Sequence, residues 1–211
     1  MTTRLILFLF MLFLAFSNTA FSESLSPPST HGMITVPATL KADPVQSIRI
    51  GSFIAEFEKT TLGEIRDTLG LGSIQHSGDA AESQYWLCYS LPNQRVWLIS
   101  HGEMGGSDHA LTQVQSISTS SPGNASCPQI PKHFQTISLN FGWIGTTKVS
   151  LLKALGPPSG IENGHLIYYY SGKKSGIYQG QSVEWDVIGY VEAVIIDNKV
   201  SSLYASHVTS Y

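Results

Sequence analysis

The feature that most constrains the fold of this chain is an internal repeat. Residues 60–70 read TTLGEIRDTLG, and residues 146–156 read TTKVSLLKALG. Each segment opens on two threonines, places apolar residues at helical spacing and stops at Leu-Gly. An aromatic run follows each one, at 84–90 and at 166–171. Self-similarity at a long period indicates a duplicated structural unit, and two copies are too few for a solenoid. The pattern therefore predicts a tandem pair of small units.

Each repeat begins with the signals of a short capped helix. Thr61 and Glu64 have the spacing of a capping box, and Gly70 is placed to end the helix in the left-handed conformation. In the second copy Thr147 is the expected cap, and Gly156 is followed by two prolines that forbid continuation. Helices this short are marginal alone, so their apolar stripes need a sheet to pack on.

The segments after each helix alternate like strands and are joined by short turns. In the second copy we predict strands at 165–171, 181–185, 191–196 and 199–205, with the Lys173-Lys174 pair in a Gly/Ser loop. Connections this short favour antiparallel pairing. The expected fold is α+β: two tandem units, each a short helix (or helix pair) packed on a three- to four-stranded antiparallel sheet.

The N-terminal residues have the organisation of an export signal. Arg4 precedes an apolar run at 5–16, and small residues around Ser22 suit a cleavage site. The run is shorter than the about 20 residues that a membrane-spanning helix needs. We therefore predict a signal peptide at 1–22, a periplasmic or secreted mature protein, and no membrane span after cleavage. The competing interpretation is an uncleaved anchor.

The remaining chain divides by composition into four parts. Residues 23–45 are rich in serine and proline and predict a flexible leader. The first repeat unit is expected at 46–118 and the second at 137–211. Between them, 119–136 predicts a linker.

The charge of the chain excludes nucleic acid as a partner. Only 13% of the residues are charged, and the formal net charge is −3. This balance provides no basic surface for nucleic acid. No phosphate-binding loop or other cofactor motif occurs in the sequence, so we expect no cofactor.

The two cysteines are expected to form a disulfide. Cys88 lies in the first aromatic strand and Cys127 in the linker, and both follow the signal peptide into an oxidising compartment. Two isolated cysteines lack the spacing of a zinc or redox site. The bond would attach the linker to the first sheet.

The densest polar cluster admits two interpretations. His101, Glu103, Asp108 and His109 carry potential metal ligands within one short window. No helix places them on one face and no known ligand spacing is matched, while the glycines between them are typical of a hairpin loop. The loop interpretation is favoured, and a metal-dependent hydrolase remains the alternative.

Aromatic residues are the other candidates. Tyr168, Tyr170, Trp185 and Tyr190 crowd the second copy, and tyrosine and tryptophan dominate the energetics of protein interfaces. Small antiparallel sheets also use aromatics as core and cross-strand pairs. We predict that these four residues contribute to protein binding, with core packing as the competing interpretation.

These motifs together resemble one superfamily. The second copy, 146–205, matches through Leu-Gly-Pro-Pro at 155–158 and the tyrosines at 168–170, and the first matches through 61–70 and 86–89. This pattern resembles the repeat unit of the β-lactamase-inhibitor-like and outer-membrane-assembly small-lipoprotein superfamily. The chain lacks the lipid-bearing N-terminal cysteine of the lipoprotein branch and is more similar to the inhibitor branch. The resemblance implies two helix-on-sheet units that form a concave aromatic surface for docking another protein.

The expected function is an exported, non-enzymatic protein-binding module. An inhibitor or immunity protein against a periplasmic or secreted enzyme is the form that the resemblance favours. The expected partner is another exported or envelope protein. An envelope assembly or structural factor is the alternative, followed by the hydrolase built on the His101–His109 loop.

Overall fold

The computed structural model describes residues 25–28, 36–79, 82–102 and 108–210. Its regular elements, in chain order, are β1 Ser47–Ile50, β2 Phe53–Glu56, α1 Leu62–Leu69, β3 Gln75–Ser77, β4 Gln84–Leu91, β5 Gln94–His101, β6 Gln113–Ser118, β7 Ile137–Ser138, α2 Lys148–Leu155, β8 Gly160–Glu162, β9 His165–Tyr178, β10 Gln181–Ile196 and β11 Lys199–Ser210. A 3₁₀ turn, Lys132–Phe134, precedes β7.

The chain is mostly β, so the predicted α+β class is wrong. The described residues hold eleven strands in two sheets but only two α-helices of 8 residues each. Eight strands form one antiparallel sheet in the order β3-β4-β5-β6-β11-β10-β9-β8, called here the large sheet. The small sheet has the order β2-β1-β7. The prediction of a separate sheet for each unit fails because β6 pairs with β11, which fuses the two meanders.

The two halves of the large sheet nevertheless have the same element order. In each, a short helix is followed by four strands that pair in sequence. The last strands of the two meanders, β6 and β11, lie side by side in the middle of the sheet, and β3 and β8 form its two edges. Pairing of the last strands satisfies the backbone groups of two edges that separate units would expose.

The helices begin where the sequence predicts but cover the sheet unequally. The capping box of α1 is confirmed: the Glu64 amide donates to Thr61 Oγ1 at 3.1 Å, and the Thr61 amide donates to Glu64 Oε2 at 2.8 Å. Four residues of α1 are buried, whereas α2, capped by Thr147, buries only Leu151. The second helix is therefore not the covering layer that the α+β prediction required.

Strands β9 and β10 extend well beyond their predicted lengths. The Lys173-Lys174 pair, expected in a loop, lies inside β9, and β10 is continuous for 16 residues. The two strands pair from His165 with Val194 to Tyr178 with Gln181. Cross-strand pairing thus overrides the local preference of glycine and serine for turns.

The large sheet has two faces with different coverings. Its inner face packs against the small sheet and the helices and supplies most of the core, including Leu87, Tyr89, Val96, Leu98, Val114, Tyr168, Val191 and Leu203. The side chains that alternate with these form the outer face. Among the described residues, no helix is long and apolar enough to cross a membrane.

The predicted disulfide is confirmed and anchors the linker on the outer face. Cys88 in β4 is bonded to Cys127, with a Cα–Cα distance of 4.6 Å. Beside it, the Ser90 amide donates to the Pro128 carbonyl at 2.9 Å and the Ile130 amide donates to the Ser90 carbonyl at 3.0 Å. The linker is therefore held both covalently and by backbone hydrogen bonds.

Candidate functional site

The four aromatic candidates fall into a buried pair and a partly exposed pair. Tyr168 is fully buried on the inner face, and burial raises its pKa to about 12. Tyr190 is buried on the outer face, where its ring meets Tyr204 edge-on at a centroid distance of 5.7 Å. These two tyrosines pack within the fold, so only Tyr170 and Trp185 offer surface to a partner in this conformation.

Tyr170 and Trp185 support a hairpin that projects from the sheet. Within the described residues, the pairing of β10 with β11 ends at Asp186, and residues 174–185 pair only between β9 and β10; this ribbon is called here the arm. The ring of Trp185 lies over Gly176, and the ring of Tyr170 lies over Gly172. A Cβ at either glycine would collide with the ring above it, which explains why these strand positions are glycines.

The tip of the arm is apolar and exposed. Ile177 is 78% exposed and Tyr178 is 51% exposed. The turn between the strands places Gln179 and Gly180 at positive φ, 50° and 79°, as a two-residue hairpin turn requires.

The His101–His109 loop does not assemble as a ligand cluster in the part that the structure describes. Glu103 lies outside the described residues, and Asp108 is exposed. His101 points to the outer face beside Gln84, whereas buried His109 stacks on Tyr85 of the inner face at 4.1 Å. Burial lowers the pKa of both histidines. Within the described ranges, no group of three histidine, cysteine or acidic residues could hold a metal ion.

An ionic cluster that sequence reasoning missed holds the leader against the inner face. His207 in β11 contacts Asp43 through Nδ1 and Glu58 through Nε2, the latter at 3.3 Å. Hydrogen bonds to Asp43 and Glu58 raise the pKa of His207 to about 9. Burial alone would raise the pKa of Glu58, but hydrogen bonds from His207 and Thr209 outweigh it and lower this pKa to about 2.

A second missed site is a cavity of about 190 Å³ on the outer face. One cross-strand row crosses it, running Cys88, Trp97, Gln115, Tyr204, Glu192 and Ile167 over six strands. Glu192 is only 8% exposed, and its Oε1 contacts Nδ1 of His165. A glutamate within the apolar run of 187–195 is the sequence signal that could have revealed this site, because a buried carboxylate needs a partner.

The outer face also carries the beginning of the described chain. The indole N–H of Trp97 donates to the Leu25 carbonyl at 2.9 Å, and Leu25 packs on the cluster of Trp86, Cys88, Trp97, Ile99 and Cys127. Pro28 lines the cavity. Residues 25–28 therefore lie on the outer face, while 39–45 lie against β9 and β11 from the other side.

Comparison of the chain with protein-family models, with curated proteins and with solved structures finds no match. The superfamily resemblance therefore stays a prediction.

Proposed function

We propose that this chain is an exported, non-enzymatic protein-binding module that engages its partner through the arm. The observation that carries the proposal is the exposed apolar tip of a projecting hairpin, with Ile177 at 78% exposure and Tyr178 at 51%. An inhibitor or immunity protein directed at a periplasmic or secreted enzyme is the role that fits such a module.

The construction of the arm supports this role. A two-stranded ribbon is only marginally stable in water. Here the Trp185 and Tyr170 rings cover the glycines of β9 and stabilise the ribbon while leaving their outer surfaces partly exposed. Rigid aromatic side chains are enriched among the residues that dominate binding energy, because they bury large area at low entropic cost.

The position of the arm supports it further. Charged side chains flank the ribbon, with Lys173 paired to Asp186 at 2.7 Å at its base, while the apolar pair occupies the tip. The uncharged polar residues Gln179, Gln181 and Ser182 border the apolar pair, and protein interfaces likewise surround apolar contacts with polar ones.

Affinity capture with tip variants tests the proposal. The mature protein is immobilised and exposed to periplasmic or culture proteins, beside the double variant Ile177→Ser/Tyr178→Ser. The matched control is Ile196→Ser, because Ile196 is 58% exposed at the opposite end of β10, at the β10–β11 turn. We expect a stoichiometric partner that the wild type and the control retain and the tip variant loses. Capture that is equal on all three proteins, or no saturable partner, contradicts the proposal.

Two measurements separate the alternatives. An envelope assembly factor would fractionate with outer-membrane complexes in place of the soluble exported proteins. A metal-dependent hydrolase on His101, Glu103, Asp108 and His109 would purify with about one equivalent of metal, which elemental analysis detects.

A further inference from the structure

Two buried polar side chains line the cavity on the outer face and indicate a ligand site. Its volume of about 190 Å³ is smaller than the roughly 300–1,000 Å³ of pockets for drug-sized molecules, so it suits a group the size of one side chain. Glu192 and Gln115 line it and are 8% and 4% exposed.

Both groups have unused hydrogen-bonding capacity. His165 contacts Oε1 of Glu192, and the Tyr190 hydroxyl reaches Oε2 at 3.5 Å, the outer limit of a hydrogen bond. The Gln115 side chain has no hydrogen bond to any other residue in the described part of the chain. Polar side chains in protein interiors are nearly always hydrogen-bonded, so the Gln115 amide is suited to pair with a ligand in the cavity.

The order of the side chains selects the shape of the ligand. Gln115, Tyr204 and Glu192 are neighbours in one row on β6, β11 and β10. Two acceptors thus flank an aromatic residue, and neighbouring strands lie about 4.8 Å apart. A guanidinium is planar, donates in several directions at once and stacks on aromatic rings, whereas an ammonium is a compact point charge.

We propose that this cavity binds a guanidinium group. Glu192 Oε2 and Gln115 Oε1 accept its N–H groups, and Tyr204 forms the aromatic wall beside it. Among the described lining residues, His165 is the sole side chain that can carry positive charge, and it lies on the far oxygen of Glu192. This inference goes beyond the arm-mediated binding proposed above and does not depend on it.

The guanidinium has two chemical sources, an arginine side chain of a protein or a free guanidino compound. Acetyl-Gly-Arg-Gly-amide represents the first and agmatine the second. The same peptide with citrulline in place of arginine is a neutral probe of nearly identical shape. None of these probes requires the partner of the arm, so failure here and failure of the proposed function are distinguishable.

The test is a titration of the full mature protein with each probe, followed by calorimetry and by protein-observed NMR. We expect saturable binding of the arginine peptide, with shifts of the Gln115 side-chain amide, and at least about 10-fold weaker binding of the citrulline peptide, since hydrogen bonds between charged groups are stronger than those to a neutral group. Tighter binding of the peptide than of agmatine assigns the site to a protein side chain, and the reverse assigns it to a free compound.

Matched variants test whether the arginine peptide binds in this cavity. Glu192→Gln should weaken the arginine peptide about 10-fold, and Gln115→Met should weaken it by a smaller factor while preserving volume. Glu184→Gln is the control, because Glu184 is an exposed residue on the same strand and the same face. Equal binding of arginine and citrulline peptides, or equal binding by Gln115→Met and wild type, overturns the proposal even if Glu192→Gln fails to fold.

Discussion

The outer face of the large sheet carries two different surfaces on its two halves. On the first half, the apolar cluster of Trp86, Cys88, Trp97 and Ile99 is buried beneath Cys127 and Leu25. Where the second half meets the first, Glu192, His165 and Tyr204 of the second half line a cavity together with Gln115 of the first. Both halves have the same element order, so topology alone does not determine what a face does.

The difference follows from what lies over each half. The linker is bonded to the first half and excludes water from it, so apolar side chains are stable there. No such covalent anchor is present on the described part of the second half, where polar side chains remain. Two halves with the same element order thus carry one surface covered by the linker and one that keeps polar side chains.

Among the changes that test this difference between the halves, removal of the disulfide should have the largest effect on stability. In the double variant Cys88→Ala/Cys127→Ala, the free energy of unfolding should fall by about 3–4 kcal/mol, because the bond closes a loop between residues 39 positions apart. Urea unfolding measures the loss, and hydrogen exchange should show faster exchange in 119–130. Unchanged exchange there would mean that the backbone hydrogen bonds of the linker suffice to cover the first half.

Separating His165 from Glu192 should destabilise the second half by a somewhat smaller amount. In His165→Ala the carboxylate of Glu192, 9% exposed as a side chain, loses its contact, and we expect a loss of about 2–3 kcal/mol. Adding Glu192→Gln to this variant should restore part of the stability, because no buried charge remains unpaired. A double-mutant cycle by chemical denaturation measures the coupling, and independent, additive effects would contradict the expected pairing.

The ionic cluster on the inner face should make stability depend on pH. Glu58 has its pKa lowered from 4.5 to about 2, so its contribution is present above pH 4.5 and is lost as pH falls towards 2. His207 has its pKa raised from 6.5 to about 9, so its contribution is present below pH 6.5 and is lost as pH rises through 9. Stability should therefore be maximal between these limits, with a contribution on the order of 2 kcal/mol.

Thermal unfolding across this pH range measures the effect. In His207→Gln, the loss of stability between pH 6.5 and 9 should disappear, and the loss as pH falls from 4.5 towards 2 should become smaller. The reason is that the variant removes the partner of both carboxylates. If the melting temperature of the wild type rises steadily from pH 6.5 to 9, the cluster does not control attachment of the leader.

The smallest expected effects on stability come from removing the two helix caps. Thr61→Ala removes a complete capping box from a helix with four buried residues and should cost about 1 kcal/mol. Thr147→Ala removes the hydrogen bond from the Ser150 amide at 3.2 Å and the contact between the Thr147 and Ser150 hydroxyls at 2.9 Å, but no reciprocal bond to the cap amide, and should cost about half as much. Equal losses in chemical denaturation would indicate that the caps contribute independently of helix burial.

Local and covalent features could be predicted from the sequence. The disulfide followed from two cysteines placed after a predicted export signal, and the α1 capping box followed from the spacing of Thr61 and Glu64. A short turn between the predicted strands at 191–196 and 199–205 also followed, and Asp197 and Asn198 in it have positive φ, 49° and 60°. These features depend on neighbours along the chain or on one residue type, so the pattern of residues is sufficient to reveal them.

The remainder was decided by tertiary structure. Local composition predicted a loop around Lys173, but cross-strand pairing and the aromatic rings over Gly172 and Gly176 make it strand. The fusion of β6 with β11 likewise depends on residues about 90 positions apart, as the pairing of Val114 with Ala205 illustrates. Gln115, Tyr204 and Glu192 become neighbours only through that fusion. By itself the sequence determined helix caps, a turn and the cysteine pair, whereas the pairing of β6 with β11, strands far apart along the chain, decided the sheet and the cavity.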